Sequence, residues 1–309
     1  MIRRRPLLVA QLHVQFLRLH NFFVCRIESE QPSLDEATLF EAAKRQVILH
    51  YQEVILYDYL YEILDPAVWR AIILEDRNVL WERNPGEEAV VPLEFSVAAA
   101  RFGHSMVRDR YLLNRNPSVG IEDLFRMTGA GRLEIAVKRL SVSYVVDWLL
   151  FFDFPSVKRD PRQRRNESRR ISPRVKVVLK HTGQLHRPEM INLAHRNLVS
   201  GNLAGLCSGQ DAVRYVLANH AKQLRECSIE LATLTHEQLN LNEPINRRDL
   251  LARHCPSLLG RTPLWYYLLA EAYTSKRHEG IGKLGPLGSL IVAESIKGLL
   301  KTDGRSTFF

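Results

Sequence analysis

Apolar residues return every three or four positions along most of this chain, and strict alternation of apolar and polar residues is rare. That periodicity predicts a mainly α fold, an irregular multi-helix arrangement with little or no β-structure. Leu7 to Ile27 reads as a first helix, apolar on most sides and therefore expected at the centre of a core. A second opens on Ser33-Leu34-Asp35-Glu36, which has the spacing of a capping box, and runs through Ala42, Val47, His50 and Val54 towards Leu64. Asp65-Pro66 ends it, and its length predicts a break around Tyr57. A short helix over Pro66 to Leu74 and a loop at Asn84 to Glu88 lead to a further helix over Phe95 to Met106, with Pro92 suited to a first turn. The middle, from Tyr111 to Gly183, reads as loop-rich, with short helices near Ser118 to Thr128 and Val142 to Phe151. Helical patterns return over Pro188 to Leu198 and Gly209 to His220. Thr235 to Leu300 reads as helices punctuated by Pro256, Gly260, Pro263 and glycines 282, 285 and 288. No internal repeat is evident.

With 309 residues, 46% hydrophobic and 25% charged, the chain can bury a sizeable core, and residues 1–309 are expected to form a single domain. No apolar stretch reaches the roughly 18 residues of a membrane span. The opening Met1-Ile2-Arg3-Arg4-Arg5-Pro6 has the charge of a secretory leader, but Gln11, His13 and Gln15 interrupt the apolar run behind it, and the segment is read as the start of a core helix. Cys25, Cys207, Cys227 and Cys255 lie far apart, without metal-site or disulfide-framework spacing, so a reducing, cytoplasmic setting is expected. The formal charge of +9 invites a nucleic-acid reading. The densest basic stretch, from Lys158 to Lys176, has no aromatic residue for base stacking and reads as a solvated loop.

The residues richest in chemistry are Arg101 and His104 in Phe95-Ser96-Val97-Ala98-Ala99-Ala100-Arg101-Phe102-Gly103-His104-Ser105-Met106. Helical spacing places the guanidinium and the imidazole on one face. A neutral imidazole is a good iron ligand, and a guanidinium one turn away can fork onto a carboxylate, so the pair suits a planar anionic metal cofactor. A single histidine in an alanine-rich helix is more often a hydrogen-bonded core residue, so the pair gains its weight from the rest of the chain.

Four segments supply that weight: Arg101-Phe102-Gly103-His104 itself, Ala10-Gln11-Leu12-His13 to Asn21, Gly201 to Gln210, and Thr262-Pro263-Leu264-Trp265 followed by Leu284 to Gly288 and Val292-Ala293-Glu294. Together they resemble the animal-type haem peroxidases, the peroxidase and cyclooxygenase superfamily, and in particular its bacterial members. The resemblance implies the multi-helix haem peroxidase fold, His104 as proximal iron ligand, Arg101 on a haem propionate, and Asn192, in Ile191-Asn192-Leu193-Ala194, as acceptor for the second nitrogen of the imidazole. It also implies Arg196 as a second cation at the cofactor, where His195 departs from the relatives. Cys207 stands where relatives often carry proline. The cofactor implied is haem b, held non-covalently because no ester-forming acids match, and no calcium loop is recognisable.

A distal histidine and arginine are also required on the opposite haem face, to move a proton across peroxide and stabilise charge as it cleaves. Neither is found here: the distal segment of the family lies upstream of anything matched, and Ile2 and Arg5 fall where the distal arginine and a neighbouring acid would stand, with Arg3 close by. No catalytic residue is therefore assigned. Gln46 to His50 imitates the distal spacing but carries Leu49 in place of the aspartate, and His13 and His20 sit at ordinary helical positions. Arg101 occupies the place where cyclooxygenase-type radical chemistry would want a tyrosine.

The resemblance implies a haem-dependent peroxidase in which ferric haem reacts with hydrogen peroxide and oxidises organic donors in one-electron steps, an activity suited to oxidative stress. The absent distal segment favours an alternative, a degenerate or split remnant that binds haem with little turnover alone. A basic binding module without cofactor is a third reading, resting on charge only. Without a distal wall, Leu7, Leu8, Leu12, Phe16, Phe22 and Phe23 are expected to be incompletely covered, so a partner chain or a further N-terminal segment is anticipated.

Overall fold

The computed structural model describes residues 7–82, 87–114, 118–121, 123–124, 140, 142–154, 157, 165–175, 192–241, 250–275, 282–302 and 308. Among them the chain is mainly α, with two-residue antiparallel strands at Arg110–Tyr111 and Val119–Gly120. It divides into two compact units, Met1–His50 with Arg108–Ser168, and Tyr51–Val107 with Arg169–Phe309.

The first unit contains α1 (Leu7–Glu30) and most of α2 (Glu36–Glu53). α2 is capped by Asp35 rather than Ser33: Thr38 Oγ1 donates to Asp35 Oδ2 and Thr38 N to Asp35 Oδ1, at 2.6 and 3.0 Å, and these bonds hold the Asp35 carboxyl below its ordinary pKa. α1 differs from expectation. It buries only Leu7 and Phe23, while Val9, Leu12, Val14, Leu17 and Phe22 are exposed, so it is not the central core helix its composition implies. This unit is fastened by a set of side-chain amides. Gln11 Nε2 donates to Tyr144 O and Gln11 Oε1 accepts from Val146 N, at 2.8 and 2.9 Å. Asn166 brackets Leu112 in the same way, and Asn114 Nδ2 reaches the carbonyls of Val142, Ser143 and Val145. Of the two helices expected near residues 118–128 and 142–151, the first follows the strand at Val119–Gly120 and is helical at its described residues Ile121, Asp123 and Leu124. The second is two 3-10 turns, Val142–Tyr144 and Trp148–Leu150.

The second unit holds one contiguous apolar cluster. Residues 51–74 enter it as a chain of short helices. α2 passes into a π-helix at Val54–Tyr59, around the expected break at Tyr57, and then into α3 (Leu60–Ile63). Asp65, which ends that run, caps α4 (Pro66–Trp69) by accepting from Ala67 N and Val68 N, and α4 widens into a second π-helix at Arg70–Leu74. After the segment that carries Arg101 and His104 come α5 (Leu193–Leu203), α6 (Gly209–Asn219), α7 (Ala221–Glu226), α8 (His236–Asn240), α9 (Leu250–His254), α10 (Leu264–Thr274) and α11 (Pro286–Thr302).

Two of the segments that carry the family resemblance meet in this unit. Gly209 N donates to Thr262 O over 2.9 Å, Ser208 bridges to Pro263, and Gln210 exchanges hydrogen bonds with Thr262, so the starts of α6 and α10 are locked together. Gly209 is required there, because a Cβ would collide with the Tyr267 ring.

α11 buries eleven of its 17 residues, and its charged residues act as internal fasteners. Glu294 accepts from the backbone N–H groups of Val79, Leu80 and Trp81. Lys297, 1% exposed, pairs with Asp76 at 2.7 Å and donates to Arg77 O. Glu271 of α10 accepts from Leu287 N and Gly288 N at the N-terminus of α11, where positive partial charge favours it. Burial nevertheless pushes its carboxyl up to about 7.

The basic stretch is not simply a solvated loop. Its described part, residues 165–175, has no regular secondary structure, yet Ile171 and Ser172 are buried and the Arg170 guanidinium lies 4.7 Å from the centre of the Tyr273 ring. Among the described residues no helix is long and apolar enough to cross a membrane.

Candidate functional site

The helix expected over Phe95 to Met106 is present but is not α. A π-helix at Glu94–Ala98 changes at Ala98, whose backbone lies at φ −120 and ψ −70, into a 3-10 helix at Ala99–Ser105. With three residues per turn, side chains three apart eclipse one another. Ala99, Phe102 and Ser105 therefore form a buried row, and Arg101 and His104 fall in line on a neighbouring row. π-segments of this kind are frequent at functional sites. The far end of the helix is held by Ser172 N donating to Ser105 Oγ and by Arg169 N donating to Met106 O.

Asn197, 2% exposed in the interior of α5, faces the 3-10 helix. Its Nδ2 lies 3.0 Å from His104 Nδ1, and its Oδ1 accepts from Arg101 Nη1 at 3.4 Å. Arg101 also donates from Nε to Ser96 O, and its carbonyl accepts from Trp265 Nε1 of α10 over 3.3 Å. The His104 pKa is lowered, first by burial and then by the positive charges of Arg101 and Arg196, against the hydrogen bond to Asn197, which raises it. Three elements thus converge on an imidazole kept neutral at neutral pH, with two guanidinium groups near it.

The orienting role expected of Asn192 is not what the structure shows. Asn192 sits just before α5 at φ −78 and ψ 112, and its Oδ1 accepts from Ala194 N and His195 N at 3.0 and 3.3 Å as the helix cap. The amide at the imidazole belongs to Asn197, one residue beyond Arg196. An asparagine in a helix interior has no cap to make and is there for a partner elsewhere, a signal present in the sequence but outweighed by motif position. His50 and His20 bond to the carbonyls of Gln46 and Phe40 in the first unit. Arg3 lies outside the described residues.

An axial ligand at His104 would coordinate through Nε2, which requires the ring proton on Nδ1 and an acceptor facing it. Asn197 supplies one when its amide turns about its terminal bond, exchanging Nδ2 for Oδ1. That turn gives up the long bond to Arg101 and leaves its Nη1 available to a carboxylate, while Nε stays on Ser96 O. The donor set therefore fits haem: one neutral imidazole, one amide behind it and two cations beside it. Among the described residues there is no group of three or more His, Cys, Asp or Glu able to hold a metal ion, and a single axial histidine does not need one.

The animal haem peroxidase family model matches residues 4–134, a span that includes both Arg101 and His104. Over that span the chain is similar to the animal haem peroxidases. It is similar to a peroxidase-like protein of Margaritifera margaritifera, 33% identical over 104 residues, covering 32% of this chain and 12% of that protein. It is also similar to a chorion peroxidase of Aedes aegypti, 29% identical over 131 residues, covering 40% of this chain and 17% of the relative. A peroxidasin homologue of Caenorhabditis elegans matches at 28% over 96 residues, 31% of this chain and 7% of its own length. The chain thus spans well under a fifth of each of these relatives, and the matched family segment ends before Asn197.

Proposed function

We propose that this chain supplies the haem-bearing wall of a peroxidase domain, with 1–309 treated as one such domain. His104 would ligate the haem iron, Asn197 would hold its ring and fix its proton on Nδ1, and Arg101 and Arg196 would receive the haem carboxylates. Haem b bound in this way supplies the redox chemistry by which hydrogen peroxide is reduced and organic donors are oxidised one electron at a time. An imidazole whose Nδ1–H is accepted by an amide is more electron-rich at Nε2, and its lowered pKa keeps it available as a ligand below the usual histidine range. The observation that carries this reading is the 3.0 Å contact between Asn197 and His104 with both guanidinium groups beside it.

The alternative to this reading is a split or degenerate haem-binding peroxidase with little turnover on its own. One titration tests both. Purified protein taking up hemin should show a Soret band that His104→Ala abolishes and Asn197→Ala weakens by roughly tenfold in affinity, in keeping with the loss of an outer-shell partner. Asn192→Ala should lower stability by about 1 kcal/mol as a lost cap while leaving the Soret spectrum unchanged. Rapid peroxide turnover by the loaded protein supports the enzyme, negligible turnover the remnant, and a Soret band indifferent to His104 overturns both.

A further inference from the structure

A cavity of about 230 Å³ has Asn197 in its wall but not Arg101, His104 or Arg196. Its walls include the buried indole of Trp265, the Asn197 amide and the aliphatic side chains of Leu198, Leu206 and Leu258, with the guanidinium of Arg261 among them. Arg261 is exposed and makes no hydrogen bond or ion pair among the described residues. The neighbouring acid, Asp211, feels its charge but is already paired with Arg214 and the Ser208 hydroxyl, so the Arg261 guanidinium keeps its donors uncommitted. Glu94 acts on the Cys207 side of the cavity, where burial first and then this carboxylate push the thiol up.

An apolar slot with an indole on one wall and one uncommitted guanidinium selects a small flat ligand carrying one anionic group. We infer that this cavity binds a single-ring aromatic carboxylate, the ring against Trp265 and the leucines and the carboxylate on Arg261. The volume admits one ring and excludes an extended chain. Such a ligand touches the same amide that holds His104, and it touches the indole whose N–H is bonded to the Arg101 carbonyl, so its arrival is communicated to the proximal site through two hydrogen bonds.

The test uses benzoate and the full chain without haem, so it can succeed or fail independently of the peroxidase reading. Benzoate is titrated while the Trp265 indole N–H and the Asn197 side-chain amide are followed by NMR. Both resonances should move together along one saturable curve. Arg261→Met should weaken binding at least tenfold with the fold intact, and Leu258→Trp, which fills the slot, should abolish it. Benzyl alcohol, with the ring but no charge, and acetate, with the charge but no ring, should each bind at least tenfold more weakly. The inference is overturned if neither resonance moves up to millimolar benzoate, if Arg261→Met binds within twofold of the unmodified chain, or if either control binds as tightly as benzoate. Movement of Trp265 without Asn197 would overturn the link to the proximal site.

Discussion

Each of the two compact units is stabilised internally by different means. Met1–His50 with Arg108–Ser168 leaves much of its longest helix exposed and relies on side-chain amides, Gln11, Asn114 and Asn166, to pin loops by their backbone groups. Tyr51–Val107 with Arg169–Phe309 encloses one apolar cluster and places charged groups inside it, each matched to backbone donors or an opposite charge. α1 and α11 show the contrast directly. Both are long and apolar in composition, yet α1 buries two residues and α11 eleven, among them Glu294 and Lys297. Amphipathic composition therefore does not measure burial. The buried polar groups of α11 specify which segments it meets, whereas the apolar face of α1 specifies no partner by itself.

The sharpest way to break this contrast is to remove one internal fastener. Glu294→Ala leaves the N–H groups of Val79, Leu80 and Trp81 without their acceptor, and chemical denaturation should show a loss of about 3–5 kcal/mol. A result below about 1 kcal/mol would show that the segment re-forms its hydrogen bonds without α11.

The next effect depends on pH. The Glu271 carboxyl is raised from 4.5 to about 7 by burial, so the folded state holds its proton more tightly than the unfolded chain does. Its contribution is fully present below the unfolded value and is lost as pH rises through the folded one. Between about pH 4.5 and 7 the unmodified chain should lose on the order of 3 kcal/mol relative to Glu271→Gln, and parallel stability curves for the two would remove this group as the cause.

In the first unit a single fastener should matter less. Gln11→Ala removes the acceptor of Val146 N and the donor to Tyr144 O, and the expected cost is ~1–2 kcal/mol, read as a lower denaturation midpoint. Smallest of all, Leu17→Ser on the exposed face of α1 should change stability by no more than about 0.5 kcal/mol, since Leu17 is 53% exposed. A loss several times larger would mean that this face is covered in solution, and light scattering at the same concentration would show whether a second copy covers it.

Much of the fold was legible from periodicity and punctuation. The mainly α class, the helix ending at Asp65-Pro66, the disturbance near Tyr57 and the helix from Gly209 follow from local rules: a 3.6-residue period, a proline that cannot continue a helix, a serine that caps one. The disturbance proved to be a π-helix, which local propensity does not distinguish from a break. At the site, Arg101, His104, Arg196 and Asn192 were singled out from the sequence, but Asn192 caps α5 and the amide beside His104 is that of Asn197. Asn192 and Asn197 lie within one helix segment, and only packing against the 3-10 helix selects the amide that reaches His104.

Residue identity and short-range spacing were enough for the helical class, for the likeness to the animal haem peroxidases, and for the pairing of a guanidinium with an imidazole three residues later. Packing in three dimensions was needed to wind that pairing into a 3-10 turn, to close it with Asn197, to buttress Arg101 with Trp265, and to turn the charges of α11 inward. Most of these contacts join residues tens to hundreds of positions apart, where periodicity carries no information and only the requirement to satisfy buried polar groups selects the partner.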